Sequence, residues 1–249
     1  MAFQLEICAF NLRSALIAQK AGADRIEFCA DPAAGGTTPS YANIMAARTH
    51  LSIPLYPIIR PRTGDFLYTK EEYEIMLEDI LQCRKLGCDG VVVGMLRADG
   101  SIDKERCSKI VELAYPMGVT FHRAFDWCSN PFEALEDIIE IGCERILTSG
   151  QQPTAAQGAS FINDLVRQSE NRILIMPGSG VRAANIRELA EKTGAVEFHS
   201  SARTQVQGQM EFVQPAMQDD LSLPLCNEKE IESMRQLLES FFKMTASAE

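Results

Sequence analysis

Residues 120–126 place a histidine, an arginine and an aspartate where an apolar run ends. Side chains alternate along a β-strand, so Thr120 and His122 would share one face, and Phe121 and Arg123 the other. Asp126 would follow in the loop, close enough to orient either cation. A carboxylate beside a histidine fixes its tautomer or raises its pKa, which predicts a site for proton transfer. A half-buried histidine that a neighbour satisfies is the structural alternative.

Polar side chains also end other apolar runs. Glu6 and Cys8 are two residues apart and would share a face of the first strand, as would Glu27 and Cys29 on the second. Unpaired buried charge is costly, so these positions predict a functional site. The alternative is a buried ionic layer in which arginines neutralise the glutamates, and the arginines available for it are Arg25, Arg60 and Arg123. The candidates for proton transfer and charge stabilisation are Glu6, Glu27, Arg60, His122, Arg123 and Asp126.

Residues 177–182 are the most specific local signal for a ligand, because a glycine turn follows an apolar strand and precedes a helix expected from Ala183. Glycines let backbone amides approach an oxyanion, and a helix N-terminus favours negative charge. Small residues after the eighth strand complete the pair of loops from which barrels commonly build a phosphate site. An ordinary glycine turn is the alternative. The predicted anion-binding residues are Arg62, Ser149, Gly178, Ser179, Gly180, Ser200 and Ser201.

The eight cysteines form no Cys-x-x-Cys pair and have no matching histidine spacing, which excludes a zinc finger. Cys8 and Cys29 end neighbouring strands, so their sulfurs could together bind a soft ion such as Cu(I). Cysteines at strand ends are more commonly small buried residues, and that is the alternative.

Composition limits the function classes. The 249 residues are 46% hydrophobic and 23% charged, as in an ordinary globular protein. A net charge of -10 and the lack of a long basic run argue against nucleic acid as a partner. The first residues lack a signal-peptide pattern, and no stretch approaches a membrane span, so we expect a cytoplasmic protein with reduced thiols and no membrane partner.

The order of elements predicts the fold. Four times a helix ends in glycine and an apolar strand follows at once, at Gly22, Gly87, Gly142 and Gly194. Each interval holds one further strand and helix, which gives eight βα units and predicts a single (β/α)₈ TIM barrel over residues 1–249. An open, doubly wound sheet is the alternative. Residues 200–227 show no clear period and predict a long irregular segment before a last helix.

Eight motifs occur in order from the first predicted strand to the eighth, in residues 5–8, 22–29, 35–40, 57–62, 64–66, 120–126, 147–150 and 196–202. Together they resemble the CutC family of copper homeostasis proteins. The resemblance implies a cytoplasmic TIM barrel that is usually oligomeric, with a dimer favoured. It also implies Cys8 and Cys29 as suggested copper ligands, and it supplies no established reaction.

Two functions follow from the sequence. The resemblance favours Cu(I) binding at Cys8 and Cys29, with no organic cofactor. The charged residues of the strand ends favour an enzyme that acts on a small phosphorylated or otherwise anionic metabolite by acid–base chemistry. A mouth of two carboxylates, three arginines and a histidine is more typical of an enzyme than of a soft-metal site.

Overall fold

A computed structural model describes residues 3–246, in which eight parallel strands alternate with eight helices. The barrel strands are β1 (Gln4–Ala9), β2 (Arg25–Phe28), β3 (Leu55–Pro57), β4 (Gly90–Val93), β5 (Gly118–Phe121), β6 (Arg145–Thr148), β7 (Leu174–Pro177) and β8 (Glu197–Ser200). The helices are α1 (Leu12–Lys20), α2 (Tyr41–His50), α3 (Lys70–Lys85), α4 (Lys104–Ala114), α5 (Pro131–Ile141), α6 (Ala159–Ser169), α7 (Ile186–Thr193) and α8 (Glu228–Ala246). Among the helices described, none is both long and apolar enough to cross a membrane.

The strands form two parallel ladders, in the orders β3-β2-β1-β8 and β4-β5-β6-β7. A parallel bridge between Ile58 and Val92 joins the ladders on one side, and β7 lies beside β8 on the other. The sheet is thereby closed, which confirms the (β/α)₈ barrel and not the open, doubly wound alternative.

Local signals explain where the helices begin. The side chain of Asn11 accepts a hydrogen bond from the backbone of α1, and Ser40 does the same for α2. Thr69 and Glu72 form a reciprocal capping box at the start of α3. The helix predicted from Ala183 begins instead at Ile186, after a three-residue turn.

The segment predicted to be irregular, residues 200–227, contains regular structure. Ser200 ends β8, and an antiparallel hairpin follows from β9 (Arg203–Val206) and β10 (Leu223–Cys226). Residues 207–222 connect its strands, and the long connection hides the pairing in the sequence, since hairpins are recognised by short turns. The prediction was therefore wrong for the strands of this hairpin.

The faces of the barrel strands differ in polarity. Leu5 and Ile7 belong to the main apolar core, whereas Glu6 makes its side-chain contacts with polar groups of other strands. Cys8 lies apart from that core, in a small group with Cys29 and other side chains. The period of two thus places the apolar core outside the sheet and a polar set of side chains within the barrel.

Candidate functional site

A cavity of about 920 Å³ opens at the carboxyl ends of the strands. Of the residues that the sequence predicted, those lining it are Cys8, Glu27, Arg60, His122, Arg123, Ser179, Gly180, Ser200 and Ser201. The predicted residues outside its lining are Glu6, Cys29, Arg62, Asp126, Ser149 and Gly178. The closed barrel therefore brings the ends of β1, β2, β3, β5, β7 and β8 to one space.

Two thiols and a carboxylate meet at one side of this cavity. The sulfurs of Cys8 and Cys29 lie 3.5 Å apart, and the Cys29 thiol is 3.5 Å from Oε2 of Glu27. One donor atom from each residue falls within 4.8 Å of the others. The hydrogen bond between the thiols, together with burial, raises the pKa of Cys8, and burial near Glu27 raises that of Cys29 to about 12. The donors suit a soft ion, but both thiols hold their protons tightly.

His199 stands between the two glutamates. Its Nδ1 lies 2.7 Å from Oε1 of Glu6, and its Nε2 lies 3.7 Å from Oε2 of Glu27. Burial disfavours the imidazolium, but Glu27 and Glu6 outweigh it and raise the pKa of His199. Burial, with Glu6 nearby, also raises the pKa of Glu27. The site thus contains a carboxyl group and an imidazole that both retain protons at higher pH than usual.

An ion network beneath the site neutralises Glu6. Arg25 donates from Nε to Glu6 (2.5 Å) and from its terminal nitrogen to Glu197 (2.5 Å). Arg145 also donates to Glu197, at 3.1 Å. Although burial opposes its ionisation, Arg25 and His199 lower the pKa of Glu6 well below its usual range. The ionic layer is therefore present for Glu6, and it leaves Glu27 as the glutamate that reaches the cavity.

His122 differs from the expectation for residues 120–126. Its Nδ1 accepts the backbone N–H of Ala124 at 3.1 Å, and Asp126 is not among its partners in the described part of the chain. Burial, with Arg60 and Arg123 nearby, lowers the pKa of His122 to about 3. The expectation of a histidine whose pKa a carboxylate raises was wrong, because the chain turns away from the strand immediately after His122.

Asp126 instead fixes a loop. Its carboxylate pairs with Nε of Arg123 (2.8 Å) and accepts hydrogen bonds from Thr148 Oγ1 (2.5 Å) and the Ser149 amide (3.0 Å). The hydroxyl of Ser149 and the amide of Gln151 donate to it as well. Asp126 and Ser149 therefore stay outside the cavity, and their part in the site is to hold Arg123.

The two arginines after β3 have different places. Arg60 lines the cavity and donates to the carbonyls of Gly36 and Gly64, both at 2.9 Å. Arg62 pairs with Glu72 (2.5 Å) and Asp65 (2.9 Å), outside the cavity lining. Its predicted role in anion binding is contradicted, because its guanidinium already holds the loop before α3.

The hydroxyls of the predicted phosphate loops are used within the loops. Ser179 Oγ donates to the carbonyl of Pro153 (2.8 Å), and Ser200 Oγ donates to that of Val181 (2.7 Å). The amide of Gly178 donates to the last carbonyl of β6 at 2.9 Å, so it too is taken. Neither these hydroxyls nor the Gly178 amide is left free for an anion in the role that the sequence predicted.

Several backbone amides remain available in these loops, among them those of Gly180 and Ser201. Within residues 3–246, the amides of Gly180 and Ser201 have no hydrogen-bond acceptor. Both residues line the cavity, together with Arg182 and Arg203, which the sequence analysis did not select. Free amides and guanidinium groups that line one cavity can together bind an anion.

The sequence analysis did not select His199 as a proton-transfer residue. It named Arg25 only in the alternative interpretation, a buried ionic layer. The alternation of Glu197 and His199 along β8 is a signal that could have found both inward side chains. The partners of Glu197 and His199 lie on β1, β2 and β6, far away in the chain, so only the closed barrel identifies them.

Comparisons with known proteins agree with this fold. The model of the CutC family matches residues 3–204. A CutC family protein from Chromobacterium violaceum is 50% identical over 208 residues, covering 84% of each chain. One from Salmonella newport is 52% identical over 198 residues, covering 80% of this chain and 79% of the relative.

Solved structures that match the chain include a CutC protein and other barrels of the same fold. A protein from Streptococcus agalactiae, assigned to copper homeostasis under the name CutC, matches with a TM-score of 0.77 and 34% identity over 80% of this chain and 98% of its own. Phosphoribosylanthranilate isomerase from Thermotoga maritima matches at a TM-score of 0.59 and 15% identity, covering 96% of this chain and 100% of its own, which is a likeness of fold alone. With the family model matching most of the sequence, the chain belongs to the CutC family.

Proposed function

We propose that this protein binds a small phosphorylated or otherwise anionic metabolite in the barrel mouth and acts on it by acid–base chemistry. The observation that carries the proposal is the charge of the cavity, which five arginines and only two carboxylates line. A single metal ion would not need a cavity of about 920 Å³, whereas a metabolite would fill it. The arginines are Arg60, Arg97, Arg123, Arg182 and Arg203, and the carboxylates are Glu27 and Asp65.

The anionic group would bind at the ends of β7 and β8. The free amides of Gly180 and Ser201 would donate to its oxygens, and Arg182 and Arg203 would neutralise its charge. Arg123, held by Asp126 with its side chain 39% exposed, faces the same cavity. Its fixed position would let it stabilise negative charge that develops on the substrate without reorganising.

Glu27 would exchange a proton with the substrate. Burial raises the pKa of this carboxyl group, so it keeps a proton closer to neutral pH than an ordinary glutamate does. His199, 3.7 Å away, can take up or return that proton, and Glu6 fixes its ring through Nδ1. We expect Glu27→Gln to abolish turnover and to leave the fold intact, since glutamine conserves the shape but holds no exchangeable acid proton.

Thermal unfolding of the reduced protein against inorganic phosphate and a panel of phosphorylated metabolites tests the proposal. A ligand at about 100 times its dissociation constant adds roughly 2.7 kcal/mol, or about 5 to 10 °C for a chain of this size. Arg182→Gln should weaken binding about 10- to 100-fold. The matched control is Arg172→Gln, because Arg172 pairs with Glu136 on the outer surface. Equal affinities for the two variants, or no stabilising ligand, would contradict the proposal.

Cu(I) binding is a second candidate, favoured by one observation. The sulfurs of Cys8 and Cys29 lie together with the carboxylate of Glu27, and Cys8 faces the cavity. Such thiols prefer soft ions, and each must lose its proton on binding. The ion would then be held at the side of the cavity, where it is cargo and takes part in no reaction.

A competition with a coloured Cu(I) chelator under anaerobic, reducing conditions tests this candidate. We expect Cys8→Ser/Cys29→Ser to lose the affinity and Cys143→Ser to keep it. Cys143 is a suitable control because it is also a buried free thiol and does not line the cavity. Because protons are released, affinity should rise with pH. Equal affinity in the double variant and the control would remove copper from this site.

The structure also bears on assembly and location. We propose a homo-oligomer, with a dimer favoured, because the connection between β9 and β10 exposes large apolar side chains. Met210, Phe212 and Met217 are each more than half exposed. Light scattering of the protein with and without residues 209–219 measures the oligomeric state, which should fall when the segment is removed. We also propose a cytoplasmic location, since all the described cysteines are free thiols, as a reducing compartment requires.

A further inference from the structure

Two buried nitrogen atoms at the cavity lack hydrogen-bond partners. In the part of the chain that the structure describes, three buried polar side-chain atoms are unpartnered: Arg60 Nε, Tyr68 Oη and His122 Nε2. Arg60 and His122 line the cavity, and their residues are only 6% and 4% exposed. Buried donors are nearly always satisfied in folded proteins, so these two need an explanation.

The hydrogen bonds of His122 define which nitrogen can donate. Nδ1 accepts the backbone N–H of Ala124, so in the neutral ring the hydrogen resides on Nε2. Burial and the adjacent arginines keep the ring neutral by lowering its pKa to about 3. His122 therefore presents one N–H donor and does not exchange protons near neutral pH.

The ring is also held in place. A side chain at Gly94 would put its first carbon 2.4 Å from Nδ1, so the backbone of the β4 loop packs directly against the imidazole. On the other side, the Phe66 ring lies 5.1 Å from the imidazole. The direction of the Nε2–H bond is thus set by packing before any ligand arrives.

Arg60 supplies the second donor. Its terminal nitrogens are occupied by the carbonyls of Ala34, Gly36 and Gly64, which leaves Nε–H unused. The guanidinium carbon lies 5.1 Å from the centre of the same Phe66 ring that contacts His122. Both unused N–H groups therefore belong to side chains that contact the same aromatic ring, at the ends of β3 and β5.

We propose that His122 Nε2–H and Arg60 Nε–H together bind a carbonyl or carboxylate oxygen of the ligand. Oxygen is the acceptor that suits both donors, and Arg60 favours one that carries negative charge. This inference rests on the proposed function and extends it. The amides proposed to bind the anion follow β7 and β8. Arg60 and His122 follow β3 and β5, so the two sets of donors lie at different strands around the mouth of the barrel. The ligand class is then a phosphorylated compound with a carbonyl or carboxylate group at its other end.

A series of phosphonates tests the inference. The probes are unbranched phosphonates of two to six carbons, each with and without a terminal carboxylate, and calorimetry measures their affinities. At the chain length that spans the cavity, we expect the carboxylate to improve affinity about 10- to 100-fold. On binding, the Nε2–H signal of His122 in nitrogen-15 NMR spectra should shift.

Variants separate this role from a structural one. His122→Phe should lose most of the gain from the carboxylate, whereas His122→Gln, which restores an N–H donor, should recover part of it. Tyr73→Phe is the control, because Tyr73 donates to the carbonyl of Arg106 and does not line the cavity. It should keep the full gain.

The results distinguish a failure of this inference from a failure of the proposed function. If phosphonates bind but the carboxylate adds nothing at any length, or His122→Phe keeps the gain, this inference is wrong and the proposed function stands. If no phosphonate binds, the proposed function is wrong and the inference fails with it. An unmoved Nε2–H signal during tight binding of a carboxylate probe also overturns the inference.

Discussion

Glu6 holds His199 through a 2.7 Å contact between Oε1 and the ring Nδ1, and Glu27 lies 3.7 Å from the other ring nitrogen. The imidazole is thus placed between two carboxyl groups within the barrel. Because Arg25 keeps Glu6 ionised, the charge below His199 is fixed, and the proton held by His199 and Glu27 is the variable one. Two predictions follow from this relationship.

The first concerns pH and stability. The folded pKa of His199 is raised above 6.5, so its stabilising effect is complete below pH 6.5 and is lost as pH rises through the folded pKa. We expect the unfolding free energy to fall above pH 6.5, and His199→Asn to flatten this decline. The pKa of Glu27 is also raised. As pH rises past the usual value of 4.5, Glu27 therefore adds a further loss of unfolding free energy. Urea unfolding at several pH values measures both effects.

The control for this pH profile is His50→Asn. His50 lies exposed at the end of α2, and its ring nitrogen contacts only a backbone carbonyl of the same helix. Its substitution should leave the profile unchanged. A decline that persists in His199→Asn would show that other groups cause it.

The second prediction is that Arg25→Met is strongly destabilising. The variant leaves the buried carboxylate of Glu6 without its arginine and leaves Glu197 with Arg145 alone. Removing one partner of a buried ion pair typically costs about 3 to 5 kcal/mol. Arg172→Met, which breaks the exposed pair with Glu136, should cost only about 0 to 1 kcal/mol. Chemical unfolding curves compare the two, and equal losses would mean that the internal network does not carry buried charge.

A third prediction concerns the loop that Asp126 organises. Asp126→Asn removes a charged acceptor shared by Arg123, Thr148 and Ser149, so we expect a loss of about 2 to 4 kcal/mol. Hydrogen exchange should become faster at the Ser149 and Gln151 amides, which both donate to Asp126. Unchanged exchange at both amides would contradict this role.

The matched control for that loop is Asp99→Asn. Asp99 also accepts bonds from a neighbouring backbone amide and hydroxyl, those of Ser101, but in an exposed turn. Its substitution should cost about 0.5 kcal/mol or less.

A fourth prediction distinguishes Arg62 from Arg182, two arginines that each follow a barrel strand in the sequence. Arg62→Gln breaks the pairs with Glu72 and Asp65, so it should lower stability by about 1 to 2 kcal/mol without changing the affinity for an anionic ligand. Arg182→Gln should do the reverse, because within residues 3–246 its guanidinium makes one hydrogen bond, of 3.3 Å, to the carbonyl of Arg203. Calorimetric titration and thermal unfolding of both variants measure this contrast, which a loss of affinity in Arg62→Gln would contradict.

Much of the fold was predictable because its signals are local. The starts of α4 and α5 show this, since Asp103 caps the first and Pro131 occupies the first turn of the second. The glycines that end the repeats have positive φ angles, as at Gly142 (91°) and Gly194 (68°), which explains the residue type there. The β9–β10 hairpin was missed because sixteen residues separate its two strands, whereas hairpins are recognised in a sequence by short connections.

For the site, the sequence by itself determined which side chains face into the barrel, because a strand alternates its faces with a period of two. That placed Glu6, Cys8, Glu27, Cys29 and His122 within or around one space. Only the tertiary structure decided which of them are neutralised, since each partner comes from a different strand. Closure of the barrel pairs Glu6 with Arg25 and His199, and the turn after β5 takes Asp126 away from His122. Charge interactions depend on distance in space and on burial, and neither can be read from separation along the chain.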